Sequence, residues 1–242
     1  MMDKGLILFL LVCFAFSIFW GKSTKIFLES RLIQGIVEYI MQYSRWHADK
    51  IRFAILWAAY LLVPILGSLL CYLVFDMPFL EFIRLKNVQE SLFYTILGFV
   101  VQFQLSAFLV LLISAIKSEI NWYQVIRSIG WVSVSYNLPK SIRFFYPTSS
   151  AFLEEMFFRG SVFMVLYTQF PEIPVWVSIG IVCLLFIIQQ AINTQEPIQA
   201  VAISMGAISI SLVGCLLILA TDSILPAILC HMLYVGMYLY ND

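Results

Sequence analysis

The chain predicts an all-α fold: a polytopic bundle of about seven membrane-spanning helices with one amphipathic segment lying at the interface. Three observations carry that expectation. Of its 242 residues, 62% are apolar and only 12% are charged, against roughly 25% charged in an average soluble domain. A globule of this size has no interior large enough for so much apolar surface. A spanning helix needs about 20 mostly apolar residues, and runs that reach or approach this length recur at roughly 5–20, 53–75, 92–116, 149–170, 174–192, 198–220 and 224–240. Neither an internal repeat nor a Gly- or Ser-rich linker divides the chain. One integrated membrane domain is therefore expected, with N-terminal spanning and interfacial helices over 1–147 and core helices over 148–242.

The first run, GLILFLLVCFAFSIFW after Lys4, resembles the apolar stretch of a signal peptide. No small-x-small cleavage site follows it, and it ends in Phe19-Trp20, which reads as an interfacial anchor. It is expected to be a retained, short first span. Between the first and second runs, Ile26, Leu28, Leu32, Ile33, Ile36, Val37, Ile40 and Met41 recur at helical spacing with charges between them. That pattern suits a helix lying in the interface. His47 falls in the same polar segment and reads as a surface residue. Residues 120–146 carry Trp122, Trp131 and Tyr136, which predicts an interfacial or re-entrant segment rather than a full span. Cys13, Cys71, Cys183, Cys215 and Cys230 all lie in apolar runs without C-x-x-C pairing. They read as small hydrophobes rather than metal ligands or a disulfide framework.

Cationic residues set the expected orientation. Lys22, Lys25, Arg31, Arg45, Lys50 and Arg52 follow the first run, and Lys117, Arg127, Lys140 and Arg143 follow the third; the alternate side holds Lys4, Arg84 and Lys86. The basic segments are therefore expected in the cytoplasm, with the N-terminus outside, in what reads as the cell membrane. Net charge is zero, so nothing points to nucleic acid. The expected partners are the lipid bilayer and a peptide or another membrane protein.

Against this apolar background stands FLEEMFFRG, residues 152–160. An ionisable side chain inside a membrane span costs about 2.5–3.5 kcal/mol or more and marks a functional site by default. Glu155 and Arg159 stand at i and i+4 and can pair on one helix face. A pair that only neutralises itself, or holds a neighbouring helix, is the plain alternative. Glu154 points about 100° round the helix, and an unpaired buried carboxylate needs a reason. With the expected topology, Glu154 and Glu155, then Gln190 at the end of the fifth run, then His231 within the seventh, come to similar depth on three helices. A carboxylate in low dielectric can serve as a general base toward water, and a histidine can share that work or donate to an oxyanion. The H-E-x-x-H spacing of helical zinc proteases is absent, and no metal or cofactor is expected.

These residues resemble the motifs of the CAAX protease and bacteriocin-processing family of intramembrane proteases. E-E-x-x-x-R in FLEEMFFRG resembles its first motif. CLLFIIQQAIN sits where its F-x-x-x-H motif belongs, with Phe186 matching the phenylalanine. TDSILPAILCHMLYVG resembles the last core helix, where a proline precedes a histidine by a few residues. The resemblance covers about residues 148–240. It implies Glu154 as the base that activates water, His231 as an oxyanion donor, and Glu155 with Arg159 as a supporting pair. Gln190 stands where the second-motif histidine belongs, and Val235 where an asparagine follows the last histidine. Glutamine can hydrogen-bond a water but cannot take its proton.

Three readings follow: an intramembrane endopeptidase with a degenerate site opening toward the cytoplasm, a catalytically inactive scaffold of the same fold that binds a peptide or membrane protein, and a transporter using Glu154 and His231 as a proton relay. The last lacks the paired broken helices of many transporters.

Overall fold

The structure is a computed structural model that describes residues 4–44, 48–76, 83–136 and 138–240. His47 lies outside the described residues. Helix α1 covers Lys4–Glu29, α2 Arg31–Tyr43, α3 Ala48–Phe75, α4 Val88–Ile116, α5 Trp122–Ser128, α6 Gly130–Tyr136 and α7 Lys140–Phe157. A π-helical segment, Phe158–Phe163, joins α7 to α8 (Met164–Gln169), and α9 (Val175–Ala191), α10 (Pro197–Thr221) and α11 (Leu225–Tyr240) follow. The described residues form no strand. The protein is an all-α integral membrane bundle.

Among the described residues, four segments, Lys4–Ser23, Lys50–Phe75, Val88–Ile116 and Pro197–Thr221, are long and apolar enough to cross a membrane; Val175–Ala191 and Leu225–Met237 are apolar but shorter. The charged helix α2 buries Ile33 and Val37 and packs on α1 and α3. Helices α5 and α6 have seven residues each, about 10 Å of helix, too short to cross a bilayer.

Two expectations change at the N-terminus. The first helix does not stop near residue 20 but continues to Glu29. Trp20 is not an interfacial anchor: it is fully buried, stacked on Phe158 at 5.6 Å and edge-on to Phe157 at 5.8 Å. Its indole N–H donates to the Tyr60 carbonyl at 3.2 Å. Phe16 joins the cluster against Phe157 at 4.6 Å. A tryptophan at a helix end prefers the membrane boundary only where no neighbour covers it. Here α3 and α7 cover this face of α1.

Small residues let the helices close, as they do where lipid supplies no hydrophobic drive between helices. A Cβ on Gly21 would overlap Ile192 Cγ2 and lie 2.9 Å from the Gln189 carbonyl oxygen, so α1 presses on the end of α9. A Cβ on Gly67 would lie 2.5 Å from Phe16 and 2.7 Å from Phe157. Polar side chains add cross-helix bonds. Ser106 meets Ser209 at 2.6 Å, Tyr234 donates to Ser106 at 2.8 Å, and Cys230 donates to Gln102 at 3.0 Å. These bonds fasten α4 to α10 and α11.

Candidate active site

Helix α7 begins well before the apolar run, at Lys140 behind an N-cap at Pro139. Pro147 sits inside it and has no N–H to give. Around this break the hydroxyls of Thr148, Ser149 and Ser150 bond carbonyls of the preceding turn. Past Phe157 the helix widens to π geometry, and Arg159 lies in the widened turn. Such one-turn widenings recur at functional sites.

All the ionisable residues singled out in this region are buried: Glu155 and Arg159 completely, Glu154 to 6% and His231 to 2% exposure. Arg159 Nη1 lies 3.3 Å from Glu155 Oε1. Arg159 Nη2 donates to Ser211 Oγ on α10 at 3.0 Å, and its guanidinium lies 4.7 Å from the Phe186 ring centre. Helix α10 comes this close because Gly214 faces the pair; a Cβ there would lie 3.2 Å from Glu155 Oε2 and 3.4 Å from Arg159 Nε.

Glu155 is not a private partner of Arg159. His231 Nδ1 lies 2.8 Å from the same Oε1. A carboxylate only accepts, so beside ionised Glu155 the Nδ1–H donates and the other ring nitrogen is left for the cavity. That nitrogen, Nε2, points at Glu154 Oε2 across 3.9 Å. In the neutral ring it carries a lone pair; in the imidazolium it carries a proton. The Phe186 ring packs edge-on to the imidazole at 6.1 Å, so one phenylalanine supports both Arg159 and His231.

Glu154 belongs to a second network. Gln190 Nε2 donates to its Oε1 at 3.0 Å, Tyr60 O–H donates to the same oxygen, and Gln189 Nε2 donates to the Tyr60 oxygen at 2.9 Å. Tyr60 escaped the reading of the sequence. Its only signal there is a polar tip inside the 53–75 run, and tyrosines in apolar runs are common.

Glu154, Gln190, His231 and Val235 all border one cavity of about 620 Å³, within the range of small-molecule sites. Its walls are mostly apolar and aromatic, with Phe53, Trp57, Trp131, Tyr146, Ile203 and Ile210 among them. Helices α5 and α6 and the turn at Ile192–Gln195 also border it. They are held there by Gln199, which donates to Ser128 at 3.0 Å, and by Trp122, which donates to Ser114 at 2.7 Å. Val235 offers the cavity no hydrogen-bond donor, and the neighbouring Tyr234 hydroxyl donates to Ser106 instead.

Residues 140–237, from α7 into α11, match the family described as Type II CAAX prenyl endopeptidase Rce1-like. Over this segment, which is less than half of the chain, the sequence is similar to that family. No curated protein and no solved structure matches the chain. The matched segment contains Glu154, Glu155, Arg159, Gln190, His231 and Val235; Trp20 and Tyr60 lie outside it, and Tyr60 bonds Glu154.

Proposed function

We propose that this CAAX-protease-like membrane protein is an intramembrane endopeptidase of reduced catalytic power, acting on a peptide segment of a membrane protein or lipid-anchored chain. The observation that carries the reading is the disposition of His231: Glu155 holds Nδ1, and Nε2 faces Glu154 Oε2 across the cavity at 3.9 Å. A water or a scissile carbonyl that approaches these atoms from the cavity would meet a carboxylate and an oriented imidazole. The apolar walls suit a substrate with apolar side chains or a lipid chain.

In the proposed reaction Glu154 takes a proton from water as its oxygen attacks the peptide carbon. His231 in its imidazolium form donates to the developing oxyanion. The proton held by Glu154 then passes to the departing amine. Glu155 holds the imidazole, and Arg159 offsets the charge of Glu155. Gln190 orients Glu154 by donating to it but cannot share the proton, and Val235 gives no second oxyanion donor. Losing a positioned acid–base group lowers a rate roughly 10²–10⁴-fold, and losing an oxyanion donor roughly 10²–10³-fold. Slow turnover is expected.

These two substitutions also favour a second reading, a binding scaffold without turnover. The deciding experiment incubates the full-length protein in lipid nanodiscs with lipidated and unlipidated apolar peptides and follows cleavage by mass spectrometry. Slow cleavage that disappears in Glu154→Gln supports the peptidase. Binding of those peptides without cleavage in the wild type overturns it in favour of the scaffold.

A further inference from the structure

Tyr60 lies 94 positions before Glu154, on a different helix and outside the matched residues 140–237, yet it sits within the hydrogen-bond network of the site. Its O–H donates to Glu154 Oε1, the oxygen that also accepts from Gln190 at 3.0 Å. With two donors on Oε1, the other oxygen, Oε2, is the one turned toward His231 Nε2. The phenol itself has little freedom. Its oxygen accepts from Gln189 at 2.9 Å, and its single proton then goes to the remaining acceptor. The backbone at Tyr60 is held too, because its carbonyl accepts from the buried Trp20 indole. Trp57, one turn away on α3, donates to Ser149 instead.

We infer that Tyr60 is a positioning residue for Glu154: it selects which carboxyl oxygen faces His231 and thereby makes α3 part of the site. Gln189 and Gln190 complete the device from α9, where the family motif places one histidine. The inference rests on the peptidase reading for its purpose, but the geometry is measurable without turnover.

The test is infrared spectroscopy of the full-length protein in lipid nanodiscs. The Glu154 carboxyl band is identified by its loss in Glu154→Gln. Removing one donor in Tyr60→Phe is expected to move that band in frequency. Tyr60→fluorotyrosine, which keeps the size and strengthens the donor, is expected to move it the opposite way. Tyr72→Phe, on the same helix but 42% exposed, is expected to leave it in place. If Tyr60→Phe does not fold, the fluorotyrosine variant alone decides. A band unmoved by the Tyr60 variants that fold overturns the inference, whatever the cleavage results. A band that moves while the wild type cleaves no peptide sustains the positioning role and rejects the peptidase reading alone.

Discussion

His231 Nδ1 and Arg159 Nη1 converge on a single oxygen, Glu155 Oε1, at 2.8 and 3.3 Å. One completely buried carboxylate therefore fastens α11 to α7 and holds the guanidinium that reaches α10. Glu154, the neighbouring residue, is left to face the cavity. The two glutamates, adjacent in sequence, have different neighbours because about 100° of helix separates them.

Glu155→Ala is expected to strand both Arg159 and His231 in a low-dielectric interior. Removing one partner of a buried ion pair destabilises by about 3–5 kcal/mol. The variant should lose most of its folded yield, read as the monodisperse fraction after detergent extraction. Glu155→Gln retains an acceptor for His231 and should lose less. Equal yields for wild type and Glu155→Ala would refute this central role.

Arg159→Ala should be about as damaging, because it leaves Glu155 with only the histidine and removes the stack on Phe186. Arg159→Lys should rescue it only partly, since an ammonium cannot serve Glu155, Ser211 and the ring in one planar arrangement. Thermal unfolding in detergent, followed by tryptophan fluorescence, ranks the three proteins. A lysine variant as stable as the wild type would show that charge alone matters.

Glu154 is expected to behave differently from its neighbour. It borders the cavity, so Glu154→Gln should fold to near wild-type levels while cleavage is lost. If instead Glu154→Ala and Glu154→Gln keep the cellular role at matched expression, Glu154 does no chemistry and the scaffold reading holds.

Gln190→His and Val235→Asn both change side chains that border the cavity. Together they should raise peptide cleavage, by up to roughly 10²–10⁴-fold from the acid–base partner and less from the oxyanion donor. The measurement is the cleavage rate of one apolar peptide by the single and double variants. No gain, with the protein folded, would mean that the cavity does not admit a peptide in reactive geometry.

Gly21→Ala tests how α1 supports the site from outside the family segment. Its Cβ would meet the Gln189 carbonyl oxygen at 2.9 Å, and backbone yields less readily than a side-chain tip. The end of α9 should shift and carry Gln189 and Gln190 with it. The readout is a thermal unfolding midpoint lower than that of Gly35→Ala, a substitution with none of the described residues within 4 Å of the new Cβ. Equal midpoints would show that the α1–α9 contact is slack.

Much of this protein was legible in its sequence, because much of it is local. Composition and run length establish a membrane bundle, since a bilayer of fixed thickness imposes a length on every helix that crosses it. The pairing of Glu155 with Arg159 follows from four-residue spacing alone, as helical geometry puts those positions on one face. The motif residues Glu154, Gln190 and His231 carry polar chemistry that stands out in apolar runs, and the structure brings all three to one cavity. What the tertiary structure decided is non-local. Hydropathy cannot distinguish a tryptophan at the membrane boundary from one covered by two other helices, so the burial of Trp20 appeared only with packing. Whether His231 bonds Glu155 or Glu154 depends on helix rotations of a few tens of degrees, which no spacing rule specifies. Tyr60 reaches Glu154 from 94 residues away, and its side chain is ordinary in a membrane span. Only the approach of α3 to α7 turns it into a partner of the carboxylate, because a hydrogen bond requires two atoms within about 3 Å and a sequence carries no such distance.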